Sequence, residues 1–249
     1  MSKLERSTLK KMSPQVRTTF NILNRWETDS FIAIPELCKF LEKEPIQFVT
    51  FSCLGTNKKK EELKLDLEET FFFRYRRHLV AEKLLGSLGI ATELMIILPD
   101  TEPIRTWGWK TPQEEVSECC IMMVEDKTQI LPSNWKIVLW SEIEKVVTEF
   151  TYDDALIWAR KSGHPLVIKE EVTHLLYFPN ILMRRNAEEV ALRQVAAYAL
   201  EGRILEQFVP QGILLQSEFP IKRKDGMYQP LRLKPLPIIH PFNLPKERR

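Results

Sequence analysis

Three short apolar runs, separated by helix-length stretches, most constrain how this chain can fold. They cover residues 46–52, 92–98 and 135–140, are rich in β-branched and aromatic side chains, and lie next to turn-forming Gly, Pro, Asn or Asp. Runs of this kind are typical of fully buried strands. Because long helical stretches alternate with them, the sequence predicts an α/β fold. We expect a single Rossmann-like domain with a mainly parallel sheet and helices on both faces.

Helical periodicity occupies most of the remaining chain. We predict helices over 13–27, 35–42, 59–88, 111–127, 152–161 and 186–208, a strand over 213–219 and a loop over 101–110. Thr111 before Pro112 and Asn186 are expected helix starts. Ser141, with Glu144 three residues later, predicts a capping box after the third strand.

The length of 249 residues suits one sizeable core. We therefore predict an N-terminal helical extension over 1–45, a catalytic domain over 46–230 and a Pro-rich, partly flexible tail over 231–249. Hydrophobic residues make up 44% and charged residues 28%, as in ordinary globular proteins. The net charge of +2 means that any nucleic-acid contact must come from a local patch.

Several classes of protein are disfavoured by what the sequence lacks. Its eight glycines form no GxGxxG and no GxxxxGK[ST], which argues against dinucleotide and P-loop enzymes. Its four cysteines form no CxxC pair and no metal-ligand spacing, so we expect free thiols and no metal site. Without a signal peptide or a membrane-length apolar run, we expect a cytoplasmic protein with no membrane partner.

The predicted topology singles out residues at the carboxyl ends of strands, where parallel sheets bind ligands. These are Ser52, Asp100, Gln216 and Glu218. Ser52 would lie near the backbone N–H groups that open the next helix, a position suited to an acyl-accepting serine. An ordinary strand-end serine is the common alternative. No GxSxG surrounds Ser52, so a Ser-His-Asp hydrolase is weakly supported.

A polar stripe is predicted on the helix over 186–208. Tyr198 and Glu201 are three residues apart, Gln194 lies one turn upstream, and an apolar stripe runs beside them. A hydroxyl and a carboxylate in this arrangement can hold and deprotonate an amine. The alternative interpretation is a tyrosine at the edge of the core beside a solvated glutamate.

Basic clusters offer candidate phosphate contacts. Those in the predicted 59–88 helix and just before it include Lys58, Lys59, Lys60, Arg74 and Arg77. Clusters of this kind are often solvated faces, but several together can follow a nucleic-acid backbone.

Four segments give the chain a resemblance to the cyclodipeptide synthases. They are the 48–52 strand that ends in Ser52, the 94–100 strand that ends in Asp100, the 135–143 strand and helix, and Tyr198-Ala-Leu-Glu201 followed by the 212–220 strand. The resemblance implies a fold similar to the catalytic domains of class I tyrosyl- and tryptophanyl-tRNA synthetases. It covers about residues 46 to 220.

The resemblance also implies a mechanism. An aminoacyl-tRNA would pass its amino acid to Ser52 as an ester, and a second would supply the amine, so that a diketopiperazine forms. Tyr198 and Glu201 would hold the first amino group, and Asn57, Asp100, Gln194, Gln216 and Glu218 would bind the substrate. Since the ester is already activated, no ATP, metal or cofactor is implied, and a monomer is favoured.

The chain departs from the family pattern at several positions. Thr50 and Gly55 stand where the family has Gly and Asn, and Glu201 follows Tyr198 by three residues instead of four. The 111–126 helix is acidic, which moves the expected tRNA contacts to the 58–77 region. A carboxylate such as Glu201 would suit the arginine-selective fungal branch. The alternatives are another transferase on a synthetase-like fold, or a non-catalytic RNA- or protein-binding module.

Overall fold

The computed structural model of the chain describes residues 10, 13–23, 27–28, 41–51, 62–65, 68, 79, 82–83, 85–107, 111–146, 149–162, 168–169, 172, 186–210, 212–215 and 238–240. The strands within them are β1 (Glu27–Thr28), β2 (Ile46–Phe51), β3 (Thr92–Leu98), β4 (Trp135–Leu139), β5 (Gly212–Leu215) and β6 (Ile238–His240). The helices are α1 (Pro14–Leu23), α2 (Glu102–Trp107), α3 (Gln113–Thr128), α4 (Trp140–Glu144), α5 (Tyr152–Ser162) and α6 (Ala187–Phe208).

The strands form one sheet in the order β1-β6-β5-β2-β3-β4. Every neighbouring pair from β6 to β4 is parallel, and only the short β1 runs antiparallel, beside β6. The predicted α/β fold with a mainly parallel sheet is therefore confirmed. The chain adds β3 and β4 on one side of β2 and β5 on the other, so the strand order reverses at β2. The ends of β2 and β5 flank the crevice where such sheets bind ligands.

The sheet is covered on both faces. Residues 48–51 and 96–98 are buried without alternation, as expected for strands packed on both sides. On one face Val49, Phe51 and Ile97 form a buried cluster with α4, α5 and α6. Helix α3 packs against β4 and buries Cys119 and Cys120, which do not belong to that cluster. No described helix is both long enough and apolar enough to cross a membrane.

Most predicted elements are confirmed within two residues: β2, β3, β4, α3, α5 and α6. The described positions from 62 to 86 are helical, and a turn begins at Ser87. Residues 35–40 and 216–219 lie outside the described residues. The sheet takes β6 from the predicted tail, where it pairs with β5, and β1 from the predicted N-terminal extension, where it pairs with β6.

Several local predictions are wrong. Glu27, the last residue of the helix predicted over 13–27, lies in β1, and the N-cap of α3 is Pro112 instead of Thr111. Residues 102–107 form α2 instead of continuing as a loop, and Arg105 in this helix is anchored by Glu144. The predicted capping box of Ser141 and Glu144 does not form, because α4 begins at Trp140 and its N-cap is Leu139, two residues before Ser141. Instead Glu142 accepts the N–H of Leu139 at 3.5 Å, and the backbone N–H of Ser141 donates to Asp100.

Candidate functional site

Helix α6 ends at the amino edge of the sheet, and its earlier residues lie towards the carboxyl end of β2. Its C-terminal Val209 accepts the N–H of Gly212, which lies beside Gln47 in β2. From Val209 back to Glu201 the helix rises about 12 Å, and from Gln47 to Phe51 the strand rises about 13 Å. Val209, Leu200 and Phe51 belong to one buried cluster. Glu201 therefore lies at about the height where β2 ends.

The predicted polar stripe on α6 is largely withdrawn from solvent. The Nε2 of Gln194 donates to the Tyr198 hydroxyl at 2.7 Å. Gln194 is 9% exposed and Glu201 6% exposed, whereas exposed glutamate is the norm on protein surfaces. The structure thus brings Gln194 and Tyr198 into contact and buries Glu201 one turn further along. The alternative of a solvated Glu201 is wrong.

Burial of Glu201 has a source in the sequence of α6. Ala, Val, Leu and Ile occupy all sides of the helix between Ala187 and Leu205, and few positions there are exposed. A helix that is apolar all round is a core helix, not a surface one. The expected apolar stripe of residues 192, 195, 196 and 199 is buried only at Val195 and Ala196. The all-round pattern was the better signal for the position of Glu201.

Asp100 lies at the carboxyl end of β3 and is 2% exposed. Its Oδ1 accepts the N–H of Ser141 at 2.9 Å, and its backbone oxygen accepts the Nε2 of Gln113 at 2.8 Å. The carboxylate thereby satisfies a backbone donor at the start of α4, which otherwise lacks an intrahelical partner. Asp100 ties together the ends of β3 and β4 and the start of α3. Its predicted role in substrate binding stays a prediction.

The thiol of Cys120 lies close enough to Asp100 for their charges to interact. Burial raises the pKa of Cys120 far above its ordinary range, and the Asp100 carboxylate and Cys119 raise it further. The thiol is therefore protonated at neutral pH. A protonated, buried thiol is a poor nucleophile and a poor metal ligand.

A second cluster at the same edge was missed by sequence reasoning. One guanidinium nitrogen of Arg105 contacts both Glu144 oxygens, at 2.7 and 3.0 Å, and the guanidinium lies 4.6 Å from the centre of the Tyr152 ring. The Tyr152 hydroxyl donates towards the carbonyl oxygens of Arg105 and Arg193, at 3.4 and 3.5 Å. These contacts join α2, α4, α5 and α6. No local spacing signals them, because the partners are about 40 residues apart.

Three buried polar atoms on this part of the molecule have no hydrogen-bond partner among the described residues. They are the indole nitrogen of Trp140, the hydroxyl oxygen of Thr101 and the amide oxygen Oε1 of Gln194. Buried polar atoms are nearly always paired in native proteins. Those left over at one edge of a sheet are therefore candidates for contacts with a ligand.

Several predicted site residues lie outside the described part of the chain. These are Ser52, Asn57, Gln216, Glu218 and the predicted tRNA contacts Lys58, Lys59, Lys60, Arg74 and Arg77. The last described residues before Ser52 and Gln216 are Phe51 and Leu215. Within the described ranges, no three His, Cys, Asp or Glu side chains are grouped so as to hold a metal ion.

The arrangement places a buried carboxylate, a hydrogen-bonded phenol and an amide oxygen on one helix. Groups of this kind bind an amine and can take a proton from it. Comparisons with protein-family models, curated proteins and solved structures gave no significant match.

Proposed function

We propose that this chain is an aminoacyltransferase of the cyclodipeptide synthase type, which makes a diketopiperazine from two aminoacyl-tRNAs. The observation that carries the proposal is the placement of Glu201 and Tyr198. A buried carboxylate and a hydrogen-bonded hydroxyl lie on α6, at or just beyond the height where β2 ends. Ser52 is the next residue of the chain after β2.

The chemistry needs a nucleophile and a holder for an amine. In the first step the Ser52 hydroxyl displaces the tRNA ribose hydroxyl, so that one ester replaces another. The amine of a second aminoacyl group then attacks an ester carbonyl, and a second amine attack closes the ring. The first step exchanges one ester for another and releases the tRNA hydroxyl, and each of the two later steps expels an alcohol and turns an ester into an amide. Hence no ATP is consumed.

Glu201 and Tyr198 have complementary parts in this scheme. An ammonium group carries no lone pair, so it must lose a proton before it can attack. A carboxylate with little access to water attracts the ammonium more strongly than an exposed one does. The Tyr198 hydroxyl can both donate to and accept from the same nitrogen, which fixes its direction.

The test is mass spectrometry of the culture medium of bacteria that express the protein. The wild type should release diketopiperazines that are absent from the host alone, and Ser52→Ala should release none. Ser133→Ala is the matched control. It removes the same hydroxyl from an exposed turn just before β4, at the opposite edge of the sheet.

Two results would contradict the proposal. One is unchanged product from Ser52→Ala, because the acyl-accepting hydroxyl would then be unnecessary. The other is the absence of product when the purified protein is given a full set of charged tRNAs. In that case co-purified RNA would be the next measurement, since an RNA-binding module retains RNA without turnover.

A further inference from the structure

We propose that Gln194 is a positioning residue of the Tyr198–Glu201 site, and that it acts with both ends of its amide. The nitrogen holds the Tyr198 hydroxyl, and the oxygen accepts a hydrogen bond from the amine of the bound aminoacyl group. This inference rests on the proposed function, whose substrate supplies that amine. It assigns to Gln194 a definite atom-by-atom role.

The first half of the role is visible in the structure. Nε2 of Gln194 lies 2.7 Å from the Tyr198 hydroxyl oxygen, one helical turn away. While the phenol oxygen accepts this hydrogen bond, its O–H group cannot rotate freely about the C–O bond, because rotation would turn the accepting lone pair away from Nε2. Its own proton is thereby directed away from Gln194. The amide thus selects which way the Tyr198 hydroxyl points.

The second half follows from burial. Gln194 is 9% exposed, and its Oε1 accepts no hydrogen bond from the described residues. A buried amide oxygen that accepts no hydrogen bond lowers the stability of the folded protein, because the oxygen has lost its contact with water. A ligand that brings an N–H group satisfies the atom, and an amine does so at the same location where Tyr198 is held.

The neighbourhood favours a neutral or positively charged donor over an anion. Glu201 lies on the same helix, seven residues from Gln194 and equally buried. Two helical turns, about 10 Å, separate the two residues, and over that distance a carboxylate in a poorly hydrated site still disfavours an anionic ligand. Arg193, the adjacent residue in the chain, is held by Glu189 at 3.0 Å on a half-exposed face. The ligand group that fits Oε1 is therefore an amine.

A double-mutant cycle tests the positioning role with purified full-length protein and charged tRNA. Gln194→Met keeps the length of the side chain and should lower the rate of diketopiperazine formation about tenfold, equivalent to about 1.4 kcal/mol. In a Tyr198→Phe background the same change should cost less, because the contact with the hydroxyl is already gone and only the contact of Oε1 with the amine is left to lose. Gln207→Met on the exposed side of α6 is the control. An equal loss from Gln194→Met in both backgrounds would overturn the inference.

A second measurement does not depend on turnover. The side-chain amide signals of Gln194 can be assigned by NMR from their absence in Gln194→Met. Leucinamide, phenylalaninamide and argininamide are then titrated in turn, as aliphatic, aromatic and cationic amines. A saturable shift of the Gln194 signals with at least one of them supports the inference, and no shift with any of them overturns it. A shift in a protein that makes no diketopiperazine would defeat the proposed function and leave the amine site standing.

Discussion

Two tryptophans flank the same strand, and they differ in one respect. Trp135, at the amino end of β4, donates its indole N–H to the Glu82 carboxylate at 2.7 Å. Trp140, just after the carboxyl end, is completely buried, and its indole N–H has no partner among the described residues. Among the residues that the structure describes, the same donor is therefore satisfied at one edge of the sheet and has no acceptor at the other.

The contrast extends to the neighbours of each tryptophan. At the amino edge Asn134 donates to Glu82 and to the backbone oxygen of Thr92, and Gln47 donates to Glu93. At the carboxyl edge the hydroxyl of Thr101 and the amide oxygen of Gln194 lack partners among the described residues. Local rules are broken mainly where a protein acts on something else. We infer that the amino edge supports stability and the carboxyl edge supports function.

The largest expected effect comes from the carboxyl edge. Glu201→Gln keeps the shape of the side chain and removes the charge to which the proposed function assigns the attraction and deprotonation of an amine. We expect diketopiperazine formation to fall by about a hundredfold to ten-thousandfold, the usual worth of general base catalysis. The rate with purified protein and charged tRNA measures it. Thermal unfolding should show that the variant is folded.

Glu188→Gln is the control for that change, since Glu188 is exposed in the first turn of the same helix. It should leave the rate unchanged. If Glu201→Gln lowers the melting temperature but spares the rate, Glu201 is a structural group, and the contrast between the edges fails at its main residue.

At the amino edge the expected effect is on stability alone. Glu82→Leu removes the acceptor of the Trp135 indole and of the Asn134 amide. Hydrogen bonds to charged groups contribute about 1.5–3 kcal/mol, so we expect a loss of that size in the free energy of unfolding. Urea denaturation measures it. Glu82→Gln, which retains one acceptor, should lose less, and neither variant should change the rate per folded molecule.

A slightly smaller loss is expected from close packing at the same edge. A Cβ on Gly212 would lie 2.8 Å from a methyl group of Val209 and 3.1 Å from one of Val49. Gly212→Ala should therefore cost about 1–3 kcal/mol of unfolding free energy. Gly86→Ala is the matched control, because nothing lies within 4 Å of its added Cβ. It should be neutral or stabilising by up to about 1 kcal/mol. If Gly212→Ala costs as little unfolding free energy as Gly86→Ala, the amino edge is loosely packed around Gly212.

The sequence was sufficient to predict the fold because the fold depends on local patterns. The run over 92–98 is apolar, is preceded by Gly89 and is followed by Pro99, and it forms a strand with those bounds. The spacing of Gln194 and Tyr198 is also local, and their hydrogen bond follows from helical geometry.

The rest depends on residues that meet only in the folded chain. The partners Glu82 and Trp135 are 53 residues apart, and Arg105 and Glu144 are 39 apart. The six residues of α2 carry too little propensity to form a helix alone, so their anchoring through Arg105 could not be predicted. The pairing of β1 with β6 joins strands more than 200 residues apart, each too short to be recognised by alternation.

The smallest expected effect is a dependence on pH at the carboxyl edge. Burial, with Asp100 and Cys119, raises the pKa of Cys120 in the folded protein, whereas the unfolded thiol titrates near its usual value of 9. Above about pH 9 the unfolded chain therefore binds fewer protons than the folded one. The contribution of this thiol to the free energy of unfolding is fully present below that pH. Above it, the contribution is lost by up to about 1.4 kcal/mol per pH unit.

Cys120→Ala should flatten this alkaline loss while it shifts stability by a constant amount at lower pH. Urea denaturation at about pH 8 and about pH 10 measures the difference, which cancels the titration of lysines and tyrosines common to both proteins. Glu82→Gln serves as the amino-edge control and should retain the slope of the wild type. Parallel slopes for wild type and Cys120→Ala would mean that the thiol ionises as easily in the fold as outside it. The side of α3 that carries Cys120 would then be open to water, and the carboxyl edge would be less tightly packed around the thiol than its burial indicates.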